Sequence, residues 1–322
     1  GSMANWNLPA TLPLDKSERM RDEVSARTFL EVTFIEGLKF KTSFNFDLIN
    51  FNSLDYTNPK IGPAVNTGGG SSRENDRTLS WTWNNIISYD KKIGDHHFNI
   101  LAGQEAYSYR YDELTASRSK MAIPDYPELV VGSQVTGGSG YRIDYSLVGY
   151  LMNAQYDYKD RYYLSGSYRR DGSSRFADGH RWGTFPSVSA GWVISEEPWF
   201  NKSIVDYLKL RGSIGQLGNE RLGKEFPYQA ILSFGTGFIP NATTGVADVV
   251  QTAYQTDYAF NNLTWETTTT YGFGADITLL NNRLRASADY YYKKTTDMLM
   301  EVGFPSYFGY NAPQNNAADM NT

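Results

Sequence analysis

Cysteine is absent from this chain, so neither a disulfide framework nor a thiolate metal site is available. Histidine is nearly absent, at three residues. His96 and His97 are adjacent, and neighbours on an extended strand point to opposite faces, so no metal site is expected. There is no excess of positive charge: the net charge is −5 and the isoelectric point near 5.4, which gives no reason to expect nucleic acid. No window approaches eighteen apolar residues and the mean hydropathy is −0.49, which excludes a transmembrane helix. No basic segment leads into an apolar one, so no signal peptide is expected. The Gly1-Ser2-Met3 opening reads as an expression scar on a piece of something longer. Helical periodicity is scarce, with short candidates only at Ser17–Val24 and around Pro198–Asp206. The glycine-rich "NTGGGSS" lacks the lysine and helix of a phosphate loop and reads as a mobile surface loop.

Aromatic residues are abundant instead. Tyr 24, Phe 17 and Trp 7 make up 15% of the 322 residues. They fall into a period of two. Phe40, Thr42, Phe44, Phe46 and Leu48 alternate with Lys39, Lys41, Ser43, Asn45 and Asp47, which places one face of a strand in apolar surroundings and the other in water. Val148, Tyr150, Met152, Ala154 and Tyr156 oppose Gly149, Asn153, Gln155 and Asp157 in the same way. After an Asn281-Asn282 turn, Leu284, Ala286, Ala288, Tyr290 and Tyr292 oppose Arg283, Arg285, Ser287, Asp289 and Lys293.

Connections also alternate. Tight turns are predicted at Glu36-Gly37-Leu38, Asp90–Asp95, Lys159-Asp160-Arg161 and Asn281-Asn282. Between them lie long polar stretches, at Asn50–Thr78, Tyr111–Ile143, Asp171–His180 and Leu217–Asn262. Short turns at one end and long loops at the other describe an outer-membrane barrel, and strands of ten residues or more are long enough to cross a bilayer when tilted. Tyr89, Tyr158, Tyr162, Tyr163 and Tyr207, near the tight turns, suit an interfacial girdle. A soluble β-sandwich also alternates, but its strands are shorter and its loops are not sorted by length. The pattern therefore predicts an all-β antiparallel meander of about ten strands, part of a large transmembrane barrel.

One stretch carries more than periodicity. "YRRDGSSRF" followed by "RWGTFPSVSAGWVISEEPWF" resembles the core block of the starch-utilisation-type (SusC/RagA-like) TonB-dependent receptors of Bacteroidota, through Arg169, Asp171–Phe176, Trp182, Gly183, Phe185–Ser187, Ser189, Gly191, Trp192, Glu196, Glu197 and Phe200. "LKLRGSIGQLGN" (Leu208–Asn219), the hairpin Asn262–Leu299 and, upstream, Asn84–Tyr107 resemble further family blocks in the family's order. The resemblance covers roughly Trp81 to Leu299. It implies one partial barrel domain over 1–322, a middle portion of a barrel of roughly twenty-two strands. It also implies an outer-membrane receptor importing oligosaccharide or peptide. Its partners would be a SusD-like surface lipoprotein, TonB acting through a segment outside these residues, and outer-membrane lipid. Two other readings stand beside it: a non-transport adhesin or scaffold barrel, and a soluble β-rich sugar-binding module.

Chemistry-bearing constellations are few. In Trp182–Glu197, Trp182, Thr184, Val188, Ala190, Trp192 and Ile194 suit lipid, while Gly183, Ser187, Ser189, Gly191 and Ser195 suit a polar lumen. Pro186 predicts a bulge or irregularity, and Glu196-Glu197-Pro198 ends the strand. The two glutamates point apart and form no acid–base pair. No Ser/His/Asp set stands out, so no catalysis and no cofactor are expected. Asn241-Ala242-Thr243 and Asn262-Leu263-Thr264 fit a glycosylation pattern that a bacterial origin makes irrelevant. Arg169, Asp171, Arg175 and Trp182 are candidates for contact with a sugar; the plainer reading makes them a rim that orders one end of the barrel.

Overall fold

The computed structural model describes residues 12–221, 226–230, 232–240, 247–256, 258–303, 305–309 and 311–322. The described strands are β1 (Lys16–Ile35), β2 (Leu38–Thr57), β3 (Gly70–Ile93), β4 (His96–Met121), β5 (Gly132–Tyr158), β6 (Tyr162–Ser173), β7 (Trp182–Val193), β8 (Val205–Asn219), β9 (Leu232–Pro240), β10 (Ala247–Gln255), β11 (Glu266–Leu279), β12 (Leu284–Glu301) and β13 (Gln314–Asn321). Eleven form one sheet in the order β1-β2-β3-β4-β5-β6-β7-β8-β11-β12-β13, and β9 and β10 form a separate hairpin. The sheet is a meander, because every neighbour follows in sequence once that hairpin is set aside. The residues group into two compact units. One holds residues up to Phe29 with Ser43–Trp83 and Tyr107–Tyr145; the other holds Leu30–Thr42, Asn84–Ala106 and residues from Ser146 onward.

The four predicted tight turns are present. At Lys159 and Asp160 both residues are left-handed (φ 56° and 52°), and the Arg161 amide donates to the Tyr158 carbonyl at 3.0 Å, the hairpin turn whose twist matches the strands it joins. The long stretches are more ordered than their composition suggests. β2 runs on to Thr57 and β3 begins at Gly70, while β4 runs on to Met121 and β5 begins at Gly132, so most of Asn50–Thr78 and Tyr111–Ile143 is strand. A strand outside lipid keeps its ladder without an apolar face. Here charge pairs replace it, with Arg110 against Asp144 at 2.6 Å and Arg142 against Asp112 at 2.5 Å. The glycine-rich segment is likewise tied down, with the Met121 amide donating to the Gly68 carbonyl at 2.7 Å.

Both helix candidates are corrected. Ser17–Val24 lies within β1, where ladder bonds to β2 override a weak helical spacing, and the residues after Pro198 form turns that lead into β8. Among the described residues no helix is long and apolar enough to cross a membrane, which says nothing of strands. At Pro186 the β6–β7 ladder runs through without a register shift, Tyr168 facing Pro186. The recorded β7–β8 pairing instead starts at Ser187, one residue beyond the missing amide donor.

Register carries the two faces from strand to strand, because directly opposed residues share a face. In the larger unit one face gathers Tyr150, Met152, Leu164, Trp182, Val188, Trp192, Ile214, Tyr271, Phe273 and Tyr290, each between 38% and 72% exposed. So large a contiguous apolar surface requires a non-aqueous neighbour. The opposite face is hydroxyl and glycine: Ser165 bonds Ser189 at 2.7 Å, Ser167 bonds Ser187 at 2.6 Å, and Ser213 and Gly272 continue the row. Tyr158 and Tyr162 stack on the apolar face, as a girdle requires. Tyr163 does not: it turns to the polar face, under the Lys209 ammonium at 4.4 Å from its ring, and Tyr207 shares the parity of Lys209.

Candidate functional site

The polar face carries the groups able to meet a ligand. Arg169 and Asp171 are two apart on β6 and therefore project together. The Arg169 Nε donates to Asp171 at 2.7 Å and its Nη2 to Glu105 at 3.3 Å. Gly149 on β5 faces Asp171 across the ladder, and a Cβ there would meet the Asp171 carboxylate at 2.5 Å; the missing side chain is what admits the pair. These residues, with Leu147, Glu220 and Trp265, line a cavity of about 180 Å³.

Arg175 and Trp182 do not join them. Arg175 lies in the turn after β6 and pairs with Glu220 at 3.7 Å. That turn is held by its own polar groups: the Ser173 amide donates to the Arg181 carbonyl, and the Ser146 amide to the Ser174 hydroxyl. Trp182 faces Gly172 on the apolar side, stacked on Tyr150 with ring centres 6.0 Å apart. The block thus orders one end of the sheet, and only Arg169 and Asp171 reach the polar cavity.

Three features escaped sequence reasoning because they join distant segments. Phe176, Phe185, Leu263 and Trp265 form a buried apolar cluster, with Phe185 on the polar-face parity and Trp265 donating its indole N–H to the Arg181 carbonyl at 3.0 Å. The Phe185 ring sits where a Cβ on Gly218 would come within 2.0 Å. Further along, Arg211 is held by Asp276 at 3.2 Å and Asp289 at 2.8 Å, beside a concavity of about 660 Å³ lined by Lys209, Ser213, Tyr291 and Lys293. In the other unit Glu74, Asp76 and Glu113 converge, with one carboxylate oxygen each within 4.8 Å, and Tyr111 donates to Glu113 at 3.0 Å. Burial and the neighbouring carboxylates hold the Tyr111 phenol well above its ordinary range.

Hydrolytic geometry does not assemble among the described residues. His97 shares a concavity with Ser165 and Ser189, yet its ring nitrogens are engaged by Asp157 at 2.7 Å and Asp90 at 3.2 Å, and the two serines bond each other. His96 faces away, bonded to Tyr156. Glu196 and Glu197 also separate: Glu196 pairs with Lys202, while Glu197 accepts from Arg161, the Tyr162 hydroxyl and the Trp192 indole. In the glycosylation-like patterns, Thr264 is bound through its amide to Asn316, and Asn241–Thr243 lies outside the described residues.

A long-stranded antiparallel meander, apolar on one face and polar on the other with its short turns at one end, is the wall of a membrane-spanning β-barrel. The family model described as TonB dependent receptor-like, beta-barrel, matches residues 5–322, so the chain belongs to that family of outer-membrane receptors. The match extends beyond the Trp81–Leu299 span of the resemblance on both sides. TonB-dependent receptor P39 of Formosa agariphila is 32% identical over 298 residues, covering 88% of this chain and 27% of that protein. TonB-dependent receptor SusC of Bacteroides thetaiotaomicron is 31% identical over 235 residues, covering 72% of this chain and 22% of that protein. Among solved structures, the RagAB peptide transporter shares the fold with a TM-score of 0.84 at 23% identity, over 96% of this chain and 34% of that one. The chain thus spans about a third or less of the length of these relatives.

Proposed function

We propose that this chain forms part of the barrel wall of a TonB-energised outer-membrane importer for oligosaccharide or peptide, with a SusD-like surface lipoprotein as partner. The observation that carries the reading is the two-faced sheet. Its apolar face suits lipid, and its Ser/Gly face suits a lumen in which another body is seated and displaced. SusC and RagAB, as relatives named for a TonB-dependent receptor and a peptide transporter, point the same way. Arg169 and Asp171, at the end of β6 far from the tight turns, are the candidates to meet ligand, while Arg175 and Trp182 support the rim. No catalytic step is assigned, because no nucleophile–base pair is assembled among the described residues.

Deleting the full receptor gene and scoring growth on a panel of oligosaccharides and peptides tests the proposal. Loss of growth on one of them, reproduced by deleting TonB, is the expected result. Unimpaired growth on every one, with lost surface attachment instead, would replace import by the adhesin reading. Turnover of polysaccharide or peptide by the purified receptor, abolished by one point substitution, would overturn the non-enzymatic part.

A further inference from the structure

Arg169 and Arg170 are neighbours on β6 with opposite surroundings. Arg169 turns to the polar face and is neutralised by Asp171 and Glu105. Arg170 turns to the apolar face, where its guanidinium lies 5.2 Å from the centre of the Trp182 ring, itself stacked on Tyr150. Its cross-strand partners are Tyr150 and Thr184, neither charged. It is exposed, and no carboxylate pairs with it among the described residues. Lys294 on β12 occupies a similar position on the same face, without an aromatic ring beneath it: two residues beyond Tyr292, exposed, opposite Thr269 and Asn321, and with no carboxylate paired to it among the described residues.

Height explains why these two positions differ from the rest of that face. From Arg161 to Arg170 a strand rising about 3.3 Å per residue at a tilt of about 40° climbs about 23 Å, and from Leu284 to Lys294 about 25 Å. Both distances match the apolar band of an outer-membrane barrel, about 25 Å tall. Below them, the apolar-face positions of β6 (Tyr162, Leu164, Gly166, Tyr168) and β12 (Leu284, Ala286, Ala288, Tyr290, Tyr292) carry no charge. The two cations therefore stand at the outer-leaflet headgroup level, directly above the aromatic belt. A guanidinium held over an indole keeps its edge N–H donors free and loses little freedom on binding, which suits the oxygens of a phosphate.

We propose that Arg170 and Lys294 bind phosphate groups of anionic outer-leaflet lipid, and that Trp182 and Tyr150 form the platform on which Arg170 is presented. The proposal rests on the chain's place in the outer membrane and is independent of what the receptor imports.

The full receptor, purified in neutral detergent, is titrated with diphosphorylated lipid A and with its dephosphorylated form, and bound lipid is counted by native mass spectrometry. R170Q or K294Q is expected to weaken lipid A binding about fivefold each and the pair about thirtyfold, whereas R170K retains most of it. Heat-modified migration checks that each variant is folded; were R170Q lost, K294Q carries the same test. Equal binding of the dephosphorylated lipid, or unchanged affinity in the double variant, overturns the proposal. Displacement of lipid A by inorganic phosphate at equal concentration would make this a site for free phosphate and overturn the lipid assignment.

Discussion

Glu197 shows how much one side chain holds at the tight-turn end. It is nearly buried and accepts from the Tyr162 hydroxyl, the Trp192 indole at 2.9 Å and Arg161 at 3.0 Å, tying the β5–β6 turn to the end of β7. Those donors, the Tyr162 hydroxyl first, hold its carboxyl below the ordinary value of 4.5. A folded-state value lower than the unfolded one adds stability above the unfolded value, and that stability is lost as pH falls through the folded one. Unfolding midpoints measured across pH should therefore fall below about pH 4.5 in the native chain, and E197Q should flatten that part of the profile. An unchanged acid limb in E197Q would remove Glu197 from this role. At the other end Gly218 leaves room for the Phe185 ring. Gly218→Ala should destabilise by about 1–3 kcal/mol through overpacking, and adding Phe185→Leu should recover part of the loss. Full tolerance of the alanine in denaturant titrations would show that the ring moves freely.

At the scale of the element, the strands divide by length. β6 and β7 have 12 residues each, enough for one tilted crossing, whereas β3, β4 and β5 have 24, 26 and 27. The longer strands carry paired charges beyond the belt and alternation within it. Phe44, Phe46, Tyr150 and Met152 are accordingly expected to face lipid, and Lys41, Asn45, Asn153 and Gln155 the lumen. Single cysteines at these positions in the membrane-embedded receptor, labelled with a lipid-dissolved probe, should react in the first set alone. Reaction of the second set with the first silent would invert the assignment.

For the whole molecule, the sheet order ends at β1 and β13, each with one edge unpaired among the described residues. A backbone group left without a partner in an apolar setting costs on the order of several kcal/mol, so the isolated chain should satisfy those edges by associating. Contraction to a small closed barrel is the weaker outcome, because lumen-facing side chains would have to fit a narrower interior. Sedimentation without detergent is expected to show oligomers or aggregate. A soluble, cooperatively unfolding monomer would instead favour the sugar-binding module.

The two-faced character of this protein is local and was legible in its sequence. Phe40–Leu48 alternates because an extended backbone sends successive side chains to opposite sides, and the Lys159-Asp160 and Asn281-Asn282 turns are compact signals of the same kind. The resemblance running from Trp81 to Leu299 was legible as well, since ordered blocks survive without any knowledge of contacts. Only tertiary structure decided what each strand meets. Ser17–Val24 is a strand because β2 supplies its ladder, and Asn50–Thr78 is mostly strand because its backbone groups find partners on its neighbours. The same holds for function: Arg169 and Arg170 are identical residues side by side, and which is quenched and which is free depends on Glu105, Asp171 and Trp182. Alternation is set by one strand's own geometry. Register and charge pairing are set between strands, by residues far apart in the chain, and no single segment contains them.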